Sequence, residues 1–245
     1  MDGHRRQGGQ GMTDRRSTSL PSGSGPEDQE SVRALSRSHC YGLLALVLRG
    51  PPTEQIVEQL RSPPLAEVLG ELGCDVAGNF AGELGAVTQR LAEDYTRLFV
   101  GPGPHVSPYA SVNDDREGQL WGESTARVKR FIEQTGLSFE GDWDSIPDHI
   151  AIELEFMQRL TAHEADLCAQ RTGGPKSNQQ EIDRQLHRCR QIQHQFLHEH
   201  LSRWVPQFCD HILKLTNASF YREMAKLIQA LIACDLQQTA AQEAS

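Results

Sequence analysis

The sequence predicts an all-α fold, a helical bundle of about eight to ten helices with no sheet. Apolar side chains recur three or four residues apart nearly everywhere from Ser31 onward, which is the spacing of one face of an α-helix. No run of strand length alternates apolar and polar side chains, and no repeat of fixed period is visible. The chain has 245 residues, which is ample for a sizeable core.

Glycine and proline residues divide the first half of the chain into helices. A first apolar helix should end at Gly50, and two short helices should follow before Gly73. A longer helix is expected at about residues 79–100. Gly101 and the prolines after it must end that helix, because proline lacks a backbone donor. The loop that follows should continue to about Asn113.

The second half of the chain should supply the most buried helices. The predicted helices lie at about residues 115–135, 145–170, 180–202 and 217–236, with one more after a bend at Trp204-Val-Pro206. Gly136 is a plausible residue to end the first of them. The apolar residues of the 145–170 helix cover more than one face, so we expect this helix in the interior.

The chain is expected to hold one folded domain behind an amino-terminal tail. Residues 1–30 are predicted to form a disordered tail rich in Gly, Ser and Arg, and residues 31–240 the helical domain, with a candidate hinge near 137–147. The tail contains Arg5-Arg6 and Arg15-Arg16. An export signal would continue with an apolar stretch, whereas here a proline and polar residues follow. We therefore do not interpret the tail as an export signal.

Composition restricts the class of function. The net charge of −9 argues against a nucleic-acid partner, whose phosphates need a basic surface, and is compatible with a cationic partner. The longest apolar run, Tyr41–Leu48, is far shorter than the ~20 residues that a membrane span requires. The six cysteines include no CxxC pair, so we expect reduced, mostly buried thiols in a cytoplasmic protein.

The motifs of common enzymes are missing. The sequence has no G-x-S-x-G elbow, no H-E-x-x-H pair and no Walker loop. The best metal candidate is His187, His194 and His198 on one helix face, although their polar neighbours fit a solvated face equally well. We predict that the chain is not an enzyme and has no catalytic residue, metal or cofactor. The alternative is a metal- or nucleotide-dependent helical enzyme.

Two segments carry most of the functional information. The first runs from an apolar helix end into a proline-rich loop and contains Leu98, Phe99, Gly101, Pro102, Pro108, Tyr109 and Ser111. A stiff loop with aromatic side chains, beside an apolar helix end, can line a groove without a large ordering cost. Core packing followed by a helix stop is the simpler interpretation of Leu98.

The second segment runs from Ser145 to Met157. Ser145 and Asp148 match the S-x-x-D start of a helix, so we expect the two side chains to form a capping box, which does not exclude a second role for Asp148. His149 and Glu153 are neighbours at i, i+4. A carboxylate beside an imidazole should raise the pKa of His149.

At these segments the sequence resembles the TorD/DmsD family of redox-enzyme maturation chaperones. The similarity covers roughly residues 36–215 and is carried by Tyr95-x-x-Leu-Phe-x-Gly-Pro, Pro108-Tyr-x-Ser, Leu120-x-Gly122 and Asp148-His-Ile-x-x-Glu-Leu-Glu-Phe-Met157. One departure is visible. The family often has Glu-Pro-x-Asp-His, whereas this chain has Ser145-Ile-Pro-Asp-His.

The resemblance implies a cytoplasmic chaperone rather than an enzyme. Such a protein binds the catalytic subunit of a molybdenum-cofactor-dependent oxidoreductase and its twin-arginine signal peptide, and assists cofactor insertion before export. A subunit that stays bound to its oxidoreductase is a further alternative, and the oligomeric state, monomer or dimer, is left open.

The resemblance also implies a peptide site. Its expected residues are Leu98, Phe99, Gly101, Pro102, Pro108, Tyr109, Ser111, Leu120, Trp121, Gly122, Asp148, His149 and Glu153. The arginines of the peptide should meet carboxylates near Asp148 and those of Glu153 or Glu155.

Overall fold

The computed structural model describes residues 26–74, 76–113, 120–136 and 146–243. Within these ranges the regular structure is helical apart from one isolated pair of bridged residues, which confirms the all-α prediction. The α-helices are α1 Pro26–Arg49, α2 Glu54–Leu60, α3 Pro63–Glu71, α4 Leu84–Tyr95, α5 Ala110–Asn113, α6 Glu123–Thr135, α7 Ile150–Gly173, α8 Gln179–Phe196, α9 Ser202–Leu215 and α10 Ser219–Glu243.

Two predictions about domain organisation concern residues outside these ranges. Residues 1–25 of the predicted tail and residues 137–145 of the candidate hinge are not among the described residues. Helix α1 begins at Pro26, so regular structure starts before Ser31, where the helical domain was expected to begin.

Helix α7 lies in the interior, as its apolar composition predicts. Ile150, Leu154, Phe156 and Met157 have no exposed surface, and their spacing places them on several sides of the helix. The contact between α1 and α7 is the most extensive contact between two of the described helices. Helix α8 packs against α7 as well. The position of α7 therefore organises the bundle.

A buried ionic network joins four helices. The Arg37 guanidinium of α1 donates two hydrogen bonds to Asp235 of α10, both at 2.8 Å, and one to Glu164 of α7 at 3.0 Å. It also donates to Gln193 of α8 at 2.7 Å, and the Tyr41 hydroxyl donates to Asp235 at 2.7 Å. Burial disfavours the charged guanidinium, but the hydrogen bonds and charge of Asp235 outweigh burial and raise the pKa of Arg37.

Glu164 extends this network to a second arginine. Its other oxygen accepts a hydrogen bond from Arg190 Nε at 2.7 Å. Arg190 also donates to Glu30 at 3.1 Å, and Arg171 donates to the same Glu30 oxygen at 2.9 Å. Because Glu30 lies in α1, the network returns to the helix from which it began, and α1 is held at two points.

The helix predicted at 79–100 begins later than expected. Residues 77–80 form a 3₁₀ turn, and Gly82 adopts a left-handed conformation with φ of 115°, which an α-helix does not accommodate. The Glu83 carboxylate then accepts a hydrogen bond from the Ala86 N–H and caps α4. At its other end α4 widens into a π-helical turn at Thr96–Val100.

The prediction of a bend at Trp204-Val-Pro206 is wrong. These residues lie inside α9, and the irregularity comes earlier, as a π-helical turn at Leu197–Leu201 that joins α8 to α9. Pro206 lies inside α9 and lacks the N–H that would otherwise bond to the Ser202 carbonyl one turn earlier. The left-handed Gly136 at the end of α6, in contrast, is as predicted.

All six cysteines are free, and four of them are buried, as expected from their spacing. Burial raises the pKa of Cys189 to about 11 and that of Cys209 to about 12, so these thiols are held in their neutral form. Among the described residues, no helix is both long enough and apolar enough to cross a membrane.

We expect Asp235→Ala to lower the free energy of unfolding by ~3–5 kcal/mol, because Arg37 would then lose its bidentate partner inside the protein. Urea denaturation followed by circular dichroism measures the change. Lys226→Ala is the matched control, since it removes an exposed ion pair with Glu223 on the same helix and should change stability by ~1 kcal/mol or less. Equal losses in the two variants would contradict the importance of the network.

Candidate functional site

The two informative segments of the sequence are joined in the fold. The Ala110 N–H donates to the Asp148 carbonyl at 2.9 Å, and the Ile150 N–H donates to the Pro108 carbonyl at 2.8 Å. Tyr109 and His149 face each other across this short antiparallel bridge, with their rings edge to face and their centroids 5.0 Å apart. The proline-rich loop is therefore attached to the start of α7.

The Asp148 carboxyl group strengthens this junction. Asp148 has no exposed surface, and its Oδ2 accepts a hydrogen bond from the Ser111 N–H at 2.7 Å, in the first turn of α5. The predicted capping box does not start α7, because that helix begins only at Ile150. Asp148 caps α5 across the chain, and its supposed partner Ser145 lies outside the described residues. Helix α7 is capped instead by His149, whose Nδ1 accepts from the Ala151 N–H at 3.1 Å.

His149 is held in its neutral form. Burial, with a smaller effect of the nearby Arg49 charge, lowers the pKa of His149 to about 4. The expected increase in this pKa is therefore wrong. The neighbouring Glu153 carboxylate is fully buried and accepts a hydrogen bond from the Trp204 indole at 3.4 Å. Because Nδ1 of His149 already accepts a backbone hydrogen bond, protonation at that nitrogen would remove the cap of α7.

Leu98 and Phe99 are both almost fully buried and fix the other end of the loop. The Phe99 ring lies between those of Tyr95, Phe208 and Tyr221, at centroid distances of 4.8, 6.1 and 5.7 Å. The Val106 N–H donates to the Leu98 carbonyl at 2.8 Å. These contacts anchor the loop to α9 and α10.

An open cleft of about 860 Å³ lies beside the anchored loop. Its lining residues are Gln89, Ala92, Glu93, Asp94, Thr96, Arg97, Leu98, Gly101, Pro102, Gly103, Pro104, Leu215 and Thr216. One wall is the outer face of α4 and its π-helical turn, the second is the Gly-Pro loop, and the third is the end of α9. Leu215 is 47% exposed at this edge, and the α4 wall carries two carboxylates, Glu93 and Asp94.

The start of the helix predicted at 115–135 is wrong. Residues 114–119 lie outside the described residues, Leu120 and Trp121 form a turn, and α6 begins only after Gly122. Leu120 and Trp121 are 50% and 68% exposed, so neither side chain packs into the bundle. Trp121 has a φ of 64°, which is unfavourable for a residue with a side chain.

The structure divides the expected site residues into three groups. Five meet at the junction of loop and α7, namely Pro108, Tyr109, Ser111, Asp148 and His149. Leu98, Gly101 and Pro102 line the cleft, whereas Phe99 and Glu153 are buried inside the bundle. Leu120 and Trp121 form an exposed turn, and the half-buried Gly122 is the N-cap residue of α6. Their contact with a peptide stays a prediction.

Sequence reasoning missed part of the cleft. Glu93 and Asp94 come just before the motif that begins at Tyr95, but a solvated helix face explains acidic residues equally well. Leu215 and Thr216 lie more than a hundred residues further along the chain. No sequence signal connects them to the Gly-Pro loop, because only the packing of α9 brings them there.

The histidine cluster lies on an exposed surface. His187 and His198 are exposed, and the rings of His194 and His198 are 5.7 Å apart. Within the described ranges, no three His, Cys, Asp or Glu side chains are placed to hold a metal ion together.

The structure is thus an all-helical bundle with an open, partly apolar cleft at its Gly-Pro loop. The chain belongs to the TorD/DmsD family, since residues 59–210 match the model of the family described as nitrate reductase delta subunit. This confirms the family that the sequence motifs indicated.

Curated relatives support this assignment. The chain is 27% identical over 146 residues to "Chaperone protein TorD" of Vibrio vulnificus, covering 59% of this chain and 62% of the relative. It is 26% identical over 140 residues to "Probable Tat proofreading chaperone DmsD" of Haemophilus influenzae, covering 57% of each. The chain thus spans less than two thirds of the length of these relatives.

One solved structure is also similar. A crystal structure provisionally named as a redox enzyme maturation protein, from Archaeoglobus fulgidus, aligns with a TM-score of 0.48 and 21% sequence identity. The alignment covers 79% of this chain and 93% of that one.

Asp148→Ala should lower the free energy of unfolding by ~1–3 kcal/mol, because the buried Ser111 N–H would lose its acceptor. Asp148→Asn should cost less, since its amide oxygen can still accept that hydrogen bond. Urea denaturation provides the measurement, and Asp166→Ala, at an exposed position of α7, is the control. A change in Asp148→Ala no larger than in the control would rule out the capping role.

The protein should lose stability as the pH falls from about 6.5 to 4. Over this range the unfolded chain binds a proton at His149 and the folded chain does not, because the pKa of His149 is lowered to about 4 in the fold. His149→Gln should flatten the decline, at most by ~1.4 kcal/mol per pH unit and less for a partly exposed group. His163→Gln, at an exposed position of α7, is the control. Parallel pH profiles for wild type and His149→Gln would contradict this assignment.

Proposed function

We propose that this protein is a cytoplasmic maturation chaperone that acts by binding and not by catalysis. Its partner is a molybdenum-cofactor-dependent oxidoreductase. The chaperone binds the twin-arginine signal peptide of this enzyme, the apo form of the enzyme, or both. It holds the enzyme for cofactor insertion before export. The open cleft at the Gly-Pro loop carries this proposal. The names of the curated relatives, a TorD chaperone and a Tat proofreading chaperone, support the class of function.

The apolar part of the leader would supply most of the affinity. Leu215 and Pro102 offer it an apolar surface, to which the almost fully buried Leu98 adds little. Burying ~300 Å² of apolar peptide surface is worth ~7 kcal/mol before ordering costs, at ~25 cal/mol per Å². An exposed ion pair contributes only ~0–1 kcal/mol. The charges should therefore determine the orientation and the rate of encounter more than the affinity.

The arginines of the leader would bind other carboxylates than those that the sequence suggested. Asp148 and Glu153 are fully buried and already accept hydrogen bonds from groups of the bundle. Glu155 pairs with Arg49 and Arg159. Glu93 and Asp94, in contrast, line the cleft itself, so they are the better partners for two arginines.

The buried site residues would act indirectly, by keeping the Gly-Pro loop in the conformation that leaves the cleft open. Asp148 fixes the far end of the loop through Ser111, and Phe99 fixes the near end inside the aromatic cluster. A loop held at both ends loses little entropy when a peptide binds. The exposed Trp121 would supply a separate contact to the partner.

A stably bound subunit is the second candidate, because the matching family is described as a nitrate reductase delta subunit. Repeated washing of the oxidoreductase complex at high salt separates the two cases. A chaperone is released, whereas a subunit stays in stoichiometric amount.

A synthetic twin-arginine leader should bind the full chain in a fluorescence anisotropy titration. Leu215→Ser should weaken binding about ten-fold, the effect of losing ~1.4 kcal/mol of apolar contact. Val68→Ser is the control, because Val68 is equally exposed but lies on α3, outside the cleft.

The leader itself provides a second comparison. Serines in place of its apolar stretch should weaken binding more than Arg→Lys changes do. The opposite order would refute an apolar cleft, and the absence of any binding would refute the proposed function.

A further inference from the structure

We propose that the amino-terminal arm of this chain, residues 1–25, competes with the client leader for the cleft at the Gly-Pro loop. This inference rests on the proposed function of that cleft. The arm would act as an internal substitute for a leader and would be displaced when a client binds.

The charge of the arm complements that of the rest of the protein. Residues 1–25 contain four arginines and two aspartates, a formal charge of +2 within a chain whose total is −9. The remaining residues, 26–245, therefore carry −11. An arm of opposite sign is attracted to the folded domain, and most strongly at low ionic strength.

The arm also reproduces the charged part of a twin-arginine leader, but not the apolar part. It has arginine pairs at Arg5-Arg6 and Arg15-Arg16. Only scattered apolar residues, Met12 and Leu20, follow them. The arm can therefore engage the acidic edge of the cleft while burying little apolar surface. A client leader with a full apolar stretch would displace it.

The cleft has carboxylates that can accept such a pair. Glu93 is exposed and accepts a hydrogen bond from the Gln89 amide at 2.9 Å, a neutral donor that an arginine can replace. Asp94 pairs with Arg97 at 3.5 Å, and the Arg97 side chain is 78% exposed. A pair of that kind is worth ~0–1 kcal/mol, so an incoming arginine can replace Arg97.

The length of the arm decides which arginine pair reaches the cleft. Helix α1 has 24 residues and is therefore about 36 Å long. Near its start, Glu30 contacts Arg171 at the end of α7. At its other end, the Leu48 carbonyl accepts a hydrogen bond from Tyr95, which adjoins the wall of the cleft. The arm must therefore travel back along roughly the length of α1.

Arg5-Arg6 meets this requirement better than Arg15-Arg16. Arg16 is ten residues before Pro26 and can extend at most about 36 Å from it, which leaves no slack. Arg6 is twenty residues before Pro26 and can extend about 70 Å. A tethered segment of this length reaches an effective concentration on the order of millimolar, so even a weak contact competes. We assign the contact to Arg5-Arg6.

The test compares three full-length proteins by fluorescence anisotropy with a labelled synthetic leader of a molybdenum-dependent oxidoreductase. The proteins are wild type, Arg5→Gln/Arg6→Gln and Arg15→Gln/Arg16→Gln, and the two variants change the net charge equally. At low salt the first variant should bind the leader about three- to ten-fold more tightly than wild type, the effect of one or two exposed ion pairs. The second variant should differ less from wild type.

Two further measurements separate a cleft contact from general attraction. At ~1 M salt, where charges are screened within ~3 Å, the advantage of Arg5→Gln/Arg6→Gln should disappear. In a Glu93→Gln background the same advantage should shrink, because the arm and Glu93 would no longer interact.

Equal leader affinities for wild type and Arg5→Gln/Arg6→Gln at low salt would overturn the competition while leaving the proposed function intact. An equal or larger effect of Arg15→Gln/Arg16→Gln would overturn the assignment to Arg5-Arg6. If none of the three proteins binds the leader, the proposed function and this inference fail together.

Discussion

The fold depends above all on the charged network centred on Arg37. One guanidinium binds side chains of α7, α8 and α10 from its position on α1, and Glu164 links it to Arg190 and back to α1. A buried charge is tolerable only when its partners are in place, so the network is strongly directional. The hydrophobic effect has no direction of its own, whereas these hydrogen bonds are satisfied together in a single register of the four helices.

The register of α1 in turn positions the candidate site. Its carboxyl-terminal end accepts a hydrogen bond from Tyr95, and the Tyr95 ring packs against Phe99 in the π-helical turn. The Gly-Pro loop leaves this turn and is fastened at its far end by Asp148. The chain of contacts therefore leads from the centre of the bundle to the cleft wall.

Helical periodicity was sufficient to predict the fold class, the interior position of α7 and the left-handed Gly136. These features follow from local spacing and backbone geometry. The π-helical turns at Thr96–Val100 and Leu197–Leu201 could not be predicted, because each is a single rare turn inside a longer helical segment. The site was harder to predict than the fold, since the Asp148 carboxylate accepts a hydrogen bond from Ser111 and does not cap α7, the helix that follows it. The sequence pattern of a capping box cannot distinguish a local hydrogen bond from one across the chain, and long-range partners such as Leu215 are set by packing alone.

Trp121 combines two features that work against the folded state, an exposed indole and a left-handed backbone. Replacing it with glycine would remove the strain of the left-handed backbone and would also remove an exposed apolar side chain that favours aggregation. A Trp121→Gly variant of this protein should thus be easier to concentrate and store. Gains of this kind commonly come at the expense of activity, and here the variant would lose the proposed contact between the indole and a partner.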